Sequence, residues 1–164
     1  MLEMPDKSTA CCFTGHRSIP AFQLANVELH TAKAIKSLAD MGYTTFISGG
    51  AIGFDLLAAG IVLRLKAKYP QLRLVMVLPC KNQNAKWNLV QKNQYQSVLA
   101  HSDDVICLSE NYFSGCMHIR NRFMVNHSNI CIAYLTHNSG GTAYTVRYAE
   151  ENKLGVINIA QLIT

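Results

Sequence analysis

Apolar residues along this 164-residue chain arrive in short bursts separated by stretches of mixed polarity. TACCFTGH (9–16) and TTFISGG (44–50) are rich in Thr, Phe, Ile or Cys and end in glycine, and LRLVMVLP (72–79) is closed by proline. Such runs, punctuated by turn formers, read as β-strands. DVICLSE (104–110), ICIAYLT (130–136) and GVINIA (155–160) repeat the pattern. All six are apolar nearly throughout instead of alternating, which predicts strands covered on both faces. Between them, at about 21–41, 54–69, 86–101, 117–128 and 141–153, the apolar positions recur with helical spacing. Strand and helix alternate, so the chain is expected to build βαβ units with right-handed crossovers. The fold class that follows is α/β: a Rossmann-like, doubly wound, mostly parallel sheet with helices on both faces. The pattern leaves strand order open. No stretch reads as a linker, and residues 1–164 are expected to form one domain.

Composition narrows the setting. With 49% hydrophobic and 15% charged residues the chain has the profile of a compact protein rather than a disordered one. No run reaches the roughly 18 apolar residues of a membrane span, and the start lacks a basic region followed by an apolar stretch and a cleavage site. A cytoplasmic protein without membrane contact is the expectation. The six cysteines and six histidines show no zinc-like or HxxxH spacing, so no metal and no disulfide framework is expected. Cys11, Cys12, Cys107 and Cys131 lie within apolar runs, where a thiol behaves as a small buried hydrophobe.

A formal charge of +5 favours an anionic ligand without reaching the charge of a dedicated nucleic-acid binder. Placement matters more. Lys33, Lys36, Arg64, Lys66 and Lys68 fall on predicted helices and read as solvated faces. Arg17, Lys81, Arg120 and Arg122 fall in or next to loops.

In an open α/β sheet, ligands bind beyond the carboxyl ends of the strands, where helix N-termini present unpaired N–H groups. At that pole the sequence gathers Thr14, Gly15, His16 and Arg17 after the first strand, and Ser48, Gly49, Gly50 and Gly53 after the second. Lys81 follows the third, and Ser139, Gly140, Gly141 and Thr142 follow the fifth. Glycines there permit a tight turn and close approach of an anion to the backbone, and Ser48 and Thr142 offer hydroxyl donors. The competing structural reading is that a strand-to-helix turn simply needs glycine, with Asp55 charging the first turn of its helix. Arg120 and Asn121 stand near the start of another helix, positioned to hold phosphate or ribose, and Tyr112 and Phe113 precede them as candidate stacking rings.

Two enzyme classes recede. SGGAIG fits G-x-G-x-x-G only with Ser48 in place of the first glycine, and LVMVLPCK carries no acid for a ribose, which disfavours a nicotinamide dehydrogenase. No G-x-x-x-x-G-K-[ST] marks a P-loop.

With CCFTGHR, FISGGAIGFD, the pair Gln83 and Trp87, RNRFMVNHS and SGGTAYTVRYA in order, the chain resembles the YpsA family of the SLOG (SMF/DprA-LOG) superfamily over nearly its whole length. The resemblance implies a pocket for a nucleotide or nucleotide-derived ligand, ADP-ribose-like or NAD-like, and a homodimer. Residues carried over by position are Gly15, His16, Arg17, Ser48, Gly49, Gly50, Gly53, Asp55, Gln83, Trp87, Arg120, Asn121, Gly140, Gly141 and Thr142. One departure is Asn126, where this family usually has Asp. Kinship with the LOG phosphoribohydrolases implies an alternative, hydrolysis or transfer at a nucleotide N-glycosidic bond. Their motif glutamate is absent here, leaving Asp55 as the candidate catalytic carboxylate, with Glu110 beside it. Asp55 could instead order its loop or bond a ribose hydroxyl. Kinship with DprA implies a third reading, single-stranded DNA binding.

Overall fold

The computed structural model describes residues 4–163. Six strands, β1 (Ala10–Gly15), β2 (Thr45–Ser48), β3 (Arg73–Leu78), β4 (Asp104–Cys107), β5 (Ile130–Tyr134) and β6 (Gly155–Asn158), form one sheet. Their order is β4-β3-β2-β1-β5-β6 and every pairing is parallel. The connecting helices are α1 (Leu24–Asp40), α2 (Phe54–Leu65), α3 (Leu89–His101), α4 (Cys116–Asn126) and α5 (Gly140–Glu151). This is the expected doubly wound, Rossmann-like fold.

The two-residue period of each strand sorts its side chains into two cores. Cys11, Phe13, Phe46, Leu74 and Met76 point to one face, where they pack with α1, α2 and α3 residues such as Ile35, Leu56 and Tyr95. Cys12, Ile47, Val75, Val77 and Cys131 point to the other, against Met124, Val125, Val146 and Ala149 of α4 and α5. Continuous apolar runs at the centre of the sheet are thus explained by burial on both sides. The outermost strands differ from that expectation: every residue of β4 and β6 is at least partly exposed, because an edge strand has a neighbour on one flank only. Cys107, on β4, is correspondingly exposed, while Cys80 and Cys116 join Cys11, Cys12 and Cys131 as buried thiols. Lys66, expected to face water, is tied to Asp103 at 2.8 Å.

Strands β1 to β4 step outward in one direction, and β5 then returns to the other flank of β1. The switch point therefore lies between β1 and β5, whose ends are level: Thr14 pairs with Ala133 and Gly15 with Tyr134. Helices diverging on either side leave a crevice above these two strands.

Tight packing of the loops around the crevice fixes its floor. Gly15 lies against Phe54, and a Cβ there would come within 2.5 Å of that ring. Gly53, with φ 89° and ψ −129°, sits directly on the backbone carbonyl of Arg17, and the next residue's N–H, on Phe54, donates to His16 O at 3.1 Å. Such a backbone is open essentially to glycine alone. Gly53→Ala should therefore lower stability by at least about 2 kcal/mol in urea denaturation, through strain and overlap together.

Candidate functional site

The crevice holds a cavity of about 250 Å³ built from four segments distant in sequence. The β1 turn contributes Thr14, Gly15, His16 and Arg17; the start of α2 contributes Ala51 and Asp55. Met117, Arg120 and Asn121 come from α4, and His137 with Ser139 to Thr142 from the β5–α5 turn.

The two diglycine turns play different parts. At the start of α5, Ser139 makes no side-chain cap, Gly140 has φ 88°, and a side chain at Gly140 or Gly141 would meet open space. The first turn of α5 thus opens onto the cavity with its backbone donors and the positive end of its dipole. Gly49 and Gly50 are buried instead, and neither lines the cavity. The Arg120 guanidinium occupies the space where a Gly49 side chain would stand, and Gly50, at φ 70°, is packed by Met76 and Tyr95. Ser48 is likewise turned inward: its hydroxyl donates to Asp55 O at 2.9 Å and accepts from Gly50 N–H at 3.2 Å. The expectation that an anion rests on Gly49 and Gly50 is corrected by this packing: an arginine from α4 fills that place.

Arg120 is only 3% exposed. Its Nη1 donates to Gly49 O at 2.6 Å and its Nε to Asn121 Oδ1 at 2.8 Å. The charge expected to meet a phosphate is thus largely engaged with the protein's own oxygens, although Arg120 and Asn121 both border the cavity. Asp55, 5% exposed, lies in the cavity floor with Oδ1 unpartnered. Burial pushes its carboxyl up to about 7, against the opposing pull of Arg120 and Arg17. A group that titrates near neutrality can hold or release a proton under working conditions.

Arg17 is exposed on the rim and makes no salt bridge among the described residues. His16 accepts the Thr136 N–H on Nε2 at 2.9 Å and stacks on His137, ring centroids 4.1 Å apart. Burial, and then His137, hold its pKa below the ordinary histidine value. Both histidines border the cavity, and His137, like Ala51 and Met117, was not among the residues expected from the sequence. The available signal was its position three residues beyond β5, at the same pole as His16.

The remaining candidates lie outside this cavity. Lys81 pairs with Glu110 at 2.7 Å on the surface. Arg122 donates to Tyr144 Oη at 2.8 Å. Gln83, Trp87 and Tyr112 line an adjoining hollow, and Phe113 is exposed. Asn126 ends α4, at the pole opposite the cavity, where its Oδ1 accepts from Tyr148 Oη at 2.7 Å. No group of three metal-ligating side chains occurs among the described residues, and no described helix is long and apolar enough to cross a membrane.

A model of the YspA SLOG family, YpsA, matches residues 11–162. The chain belongs to the YpsA family. Among its relatives, the SPbeta prophage-derived protein YoqJ of Bacillus subtilis (strain 168) is 30% identical over 122 residues, 67% of this chain and 71% of YoqJ. A UPF0398 protein of Bacillus pumilus is 27% identical over 134 residues, covering 80% of this chain and 71% of that one. In structure the chain is similar to DNA processing protein A of Helicobacter pylori, described for its single-stranded DNA binding mode, with TM-score 0.63 and 19% identity over 90% of this chain. It is similar to DprA of Streptococcus pneumoniae with TM-score 0.65 and 17% identity over 92%. The chain spans 63% and 50% of those two proteins. Membership of the SLOG superfamily and the Rossmann-like sheet together indicate a nucleotide- or nucleic-acid-related binding function in general.

Proposed function

We propose that this YpsA-family protein binds a phosphorylated nucleotide or nucleotide-derived ligand, ADP-ribose-like or NAD-like molecules included, at the β1–β5 switch point. The observation that carries the reading is the pairing of the open α5 N-terminus at Gly140 and Gly141 with Arg17, a rim cation that makes no salt bridge among the described residues. Backbone N–H groups at a helix start, and a guanidinium across from them, are suited to phosphate oxygens. A charged hydrogen bond contributes roughly 1.5–3 kcal/mol, so Arg17→Ala should weaken binding of AMP or ADP-ribose about ten- to a hundredfold in calorimetry. At a hundred times its dissociation constant such a ligand should stabilise the fold by about 2.7 kcal/mol. A nucleotide panel that leaves the melting temperature flat would contradict the proposal.

A second reading takes a single-stranded nucleic acid, a string of the same phosphorylated units, as the occupant. The two DprA likenesses support it. Salt-sensitive fluorescence anisotropy of labelled single strands, with binding lost in Arg17→Ala, would establish it over the free nucleotide. Hydrolysis at an N-glycosidic bond draws its support from Asp55, a buried carboxyl poised near pH 7 with an unpartnered oxygen. Base release from nucleoside monophosphates that survives Asp55→Asn unchanged would remove Asp55 from that role.

A further inference from the structure

His16 and His137 form a parallel pair on the border of the cleft, their ring planes 3° apart. The two imidazoles are held differently. His16 is half-buried, and its Nε2 accepts the backbone N–H of Thr136 at 2.9 Å. A ring nitrogen that accepts from an amide cannot also carry a hydrogen, so His16 is fixed as the neutral Nδ1–H tautomer. Protonating it would set N–H against N–H. Its lowered pKa, caused first by burial and then by His137, agrees with that geometry.

His137 has no such constraint. Its side chain is exposed, and its Nδ1 lies 3.2 Å from Thr136 Oγ1, a hydroxyl that can either give or accept. Stacking on His16 covers one face of the ring and leaves the edge, where the nitrogens are, open to a ligand. Both histidines and Arg17 also border an adjoining hollow that contains Tyr134, which stands edge-on to His16. Among the described side chains lining the cleft and this hollow, Arg17 and Arg120 are cations, and Asp55, in the floor, is the one acid. A phosphate brought to the rim therefore supplies negative charge that favours an imidazolium there.

We infer that His137 is a phosphate contact that takes a proton from solution as the ligand binds, while His16 stays neutral behind it and holds its ring in place. The inference rests on the nucleotide reading of the cleft. In the imidazolium, Nδ1–H donates to Thr136 Oγ1 and Nε2–H is left for a phosphate oxygen. The bound state then holds more protons than the free state, so binding strengthens as pH falls through the histidine range, about pH 8 to 5.

ADP-ribose is the probe, because both of its phosphates are esterified and its charge is constant across that range. Calorimetry in two buffers of different ionisation heat counts the protons taken up, and imidazole nitrogen spectra of labelled protein show which ring receives them. ADP-ribose should bind at least about threefold more tightly at pH 6 than at pH 8. On saturation at pH 7 His137 should move toward the protonated form, while His16 keeps its Nδ1–H tautomer with and without ligand. His137→Asn, at an exposed position, should weaken binding at pH 6 and remove most of the proton uptake. Saturable binding whose affinity is flat with pH, whose spectra leave His137 unchanged, or whose proton uptake persists in His137→Asn overturns the inference and leaves the phosphate seat standing; in the last case the proton passes to Asp55. Absence of ADP-ribose binding at every pH removes the nucleotide reading and this inference with it.

Discussion

Arg120→Met should destabilise the protein by about 3–5 kcal/mol, the usual consequence of removing one member of a buried, hydrogen-bonded charge group. Arg120 is the internal brace of the site: it bonds the Gly49 carbonyl and Asn121, with Asp55 as its main opposite charge. Methionine fills part of the volume and supplies none of the donors. Gly49 O would keep only the Gln83 bond, Asn121 Oδ1 would lose its arginine donor, and Asp55 would lose the stronger of its two cationic neighbours. Arg120→Lys should rescue little, since a point-charge ammonium cannot reproduce the planar fork that reaches Gly49 O and Asn121 together. Urea denaturation measures the effect. A loss below about 1 kcal/mol would show that Arg120 is not the brace described.

Asp55→Asn should have the opposite sign, and only at higher pH. The folded carboxyl is raised from 3.8 to about 7, burial being the dominant cause. A raised carboxyl means that the folded state binds the proton more tightly than the unfolded chain does. Its contribution is fully present below about pH 4 and is lost as pH climbs through 7. The ionised form then costs the fold on the order of 4 kcal/mol. Asparagine resembles the protonated acid in shape and charge, so the variant should be more stable than the parent at pH 8, by several degrees of melting temperature. The two should converge near pH 4. A melting-temperature difference that is flat across this range, or that grows on acidification, would contradict the account of Asp55.

Much of this architecture was legible in the chain because turn chemistry is local. Gly15, Gly49 and Pro79 fall at or just beyond the ends of β1, β2 and β3, and these strand ends were read within two residues. The edge positions of β4 and β6 were not legible, since DVIC and GVIN are nearly as apolar as the central runs and exposure depends on which strand lies alongside.

The site divides the same way. Gathering Thr14 to Arg17 with Gly140 to Thr142 at one pole follows from the alternation of strand and helix alone. Distinguishing Gly49–Gly50 from Gly140–Gly141 does not, because the dipeptides are identical. What differs is an arginine 71 residues away that fills one turn and leaves the other open. His137 escaped notice for a related reason: its stacking on His16 depends on β1 and β5 being neighbours, which strand order had left undetermined.

The central claim is that phosphate oxygens meet the backbone of the α5 start under Arg17. Two-dimensional nitrogen–proton correlation spectra of labelled protein titrated with AMP test it most directly, because each amide reports its own environment. The account predicts that the largest saturable shifts fall on the amides of Gly140, Gly141 and Thr142 and of His16 and Arg17, all with one midpoint, and that these vanish together in Arg17→Ala. Saturable shifts centred elsewhere while Gly140 and Gly141 stay fixed would contradict it.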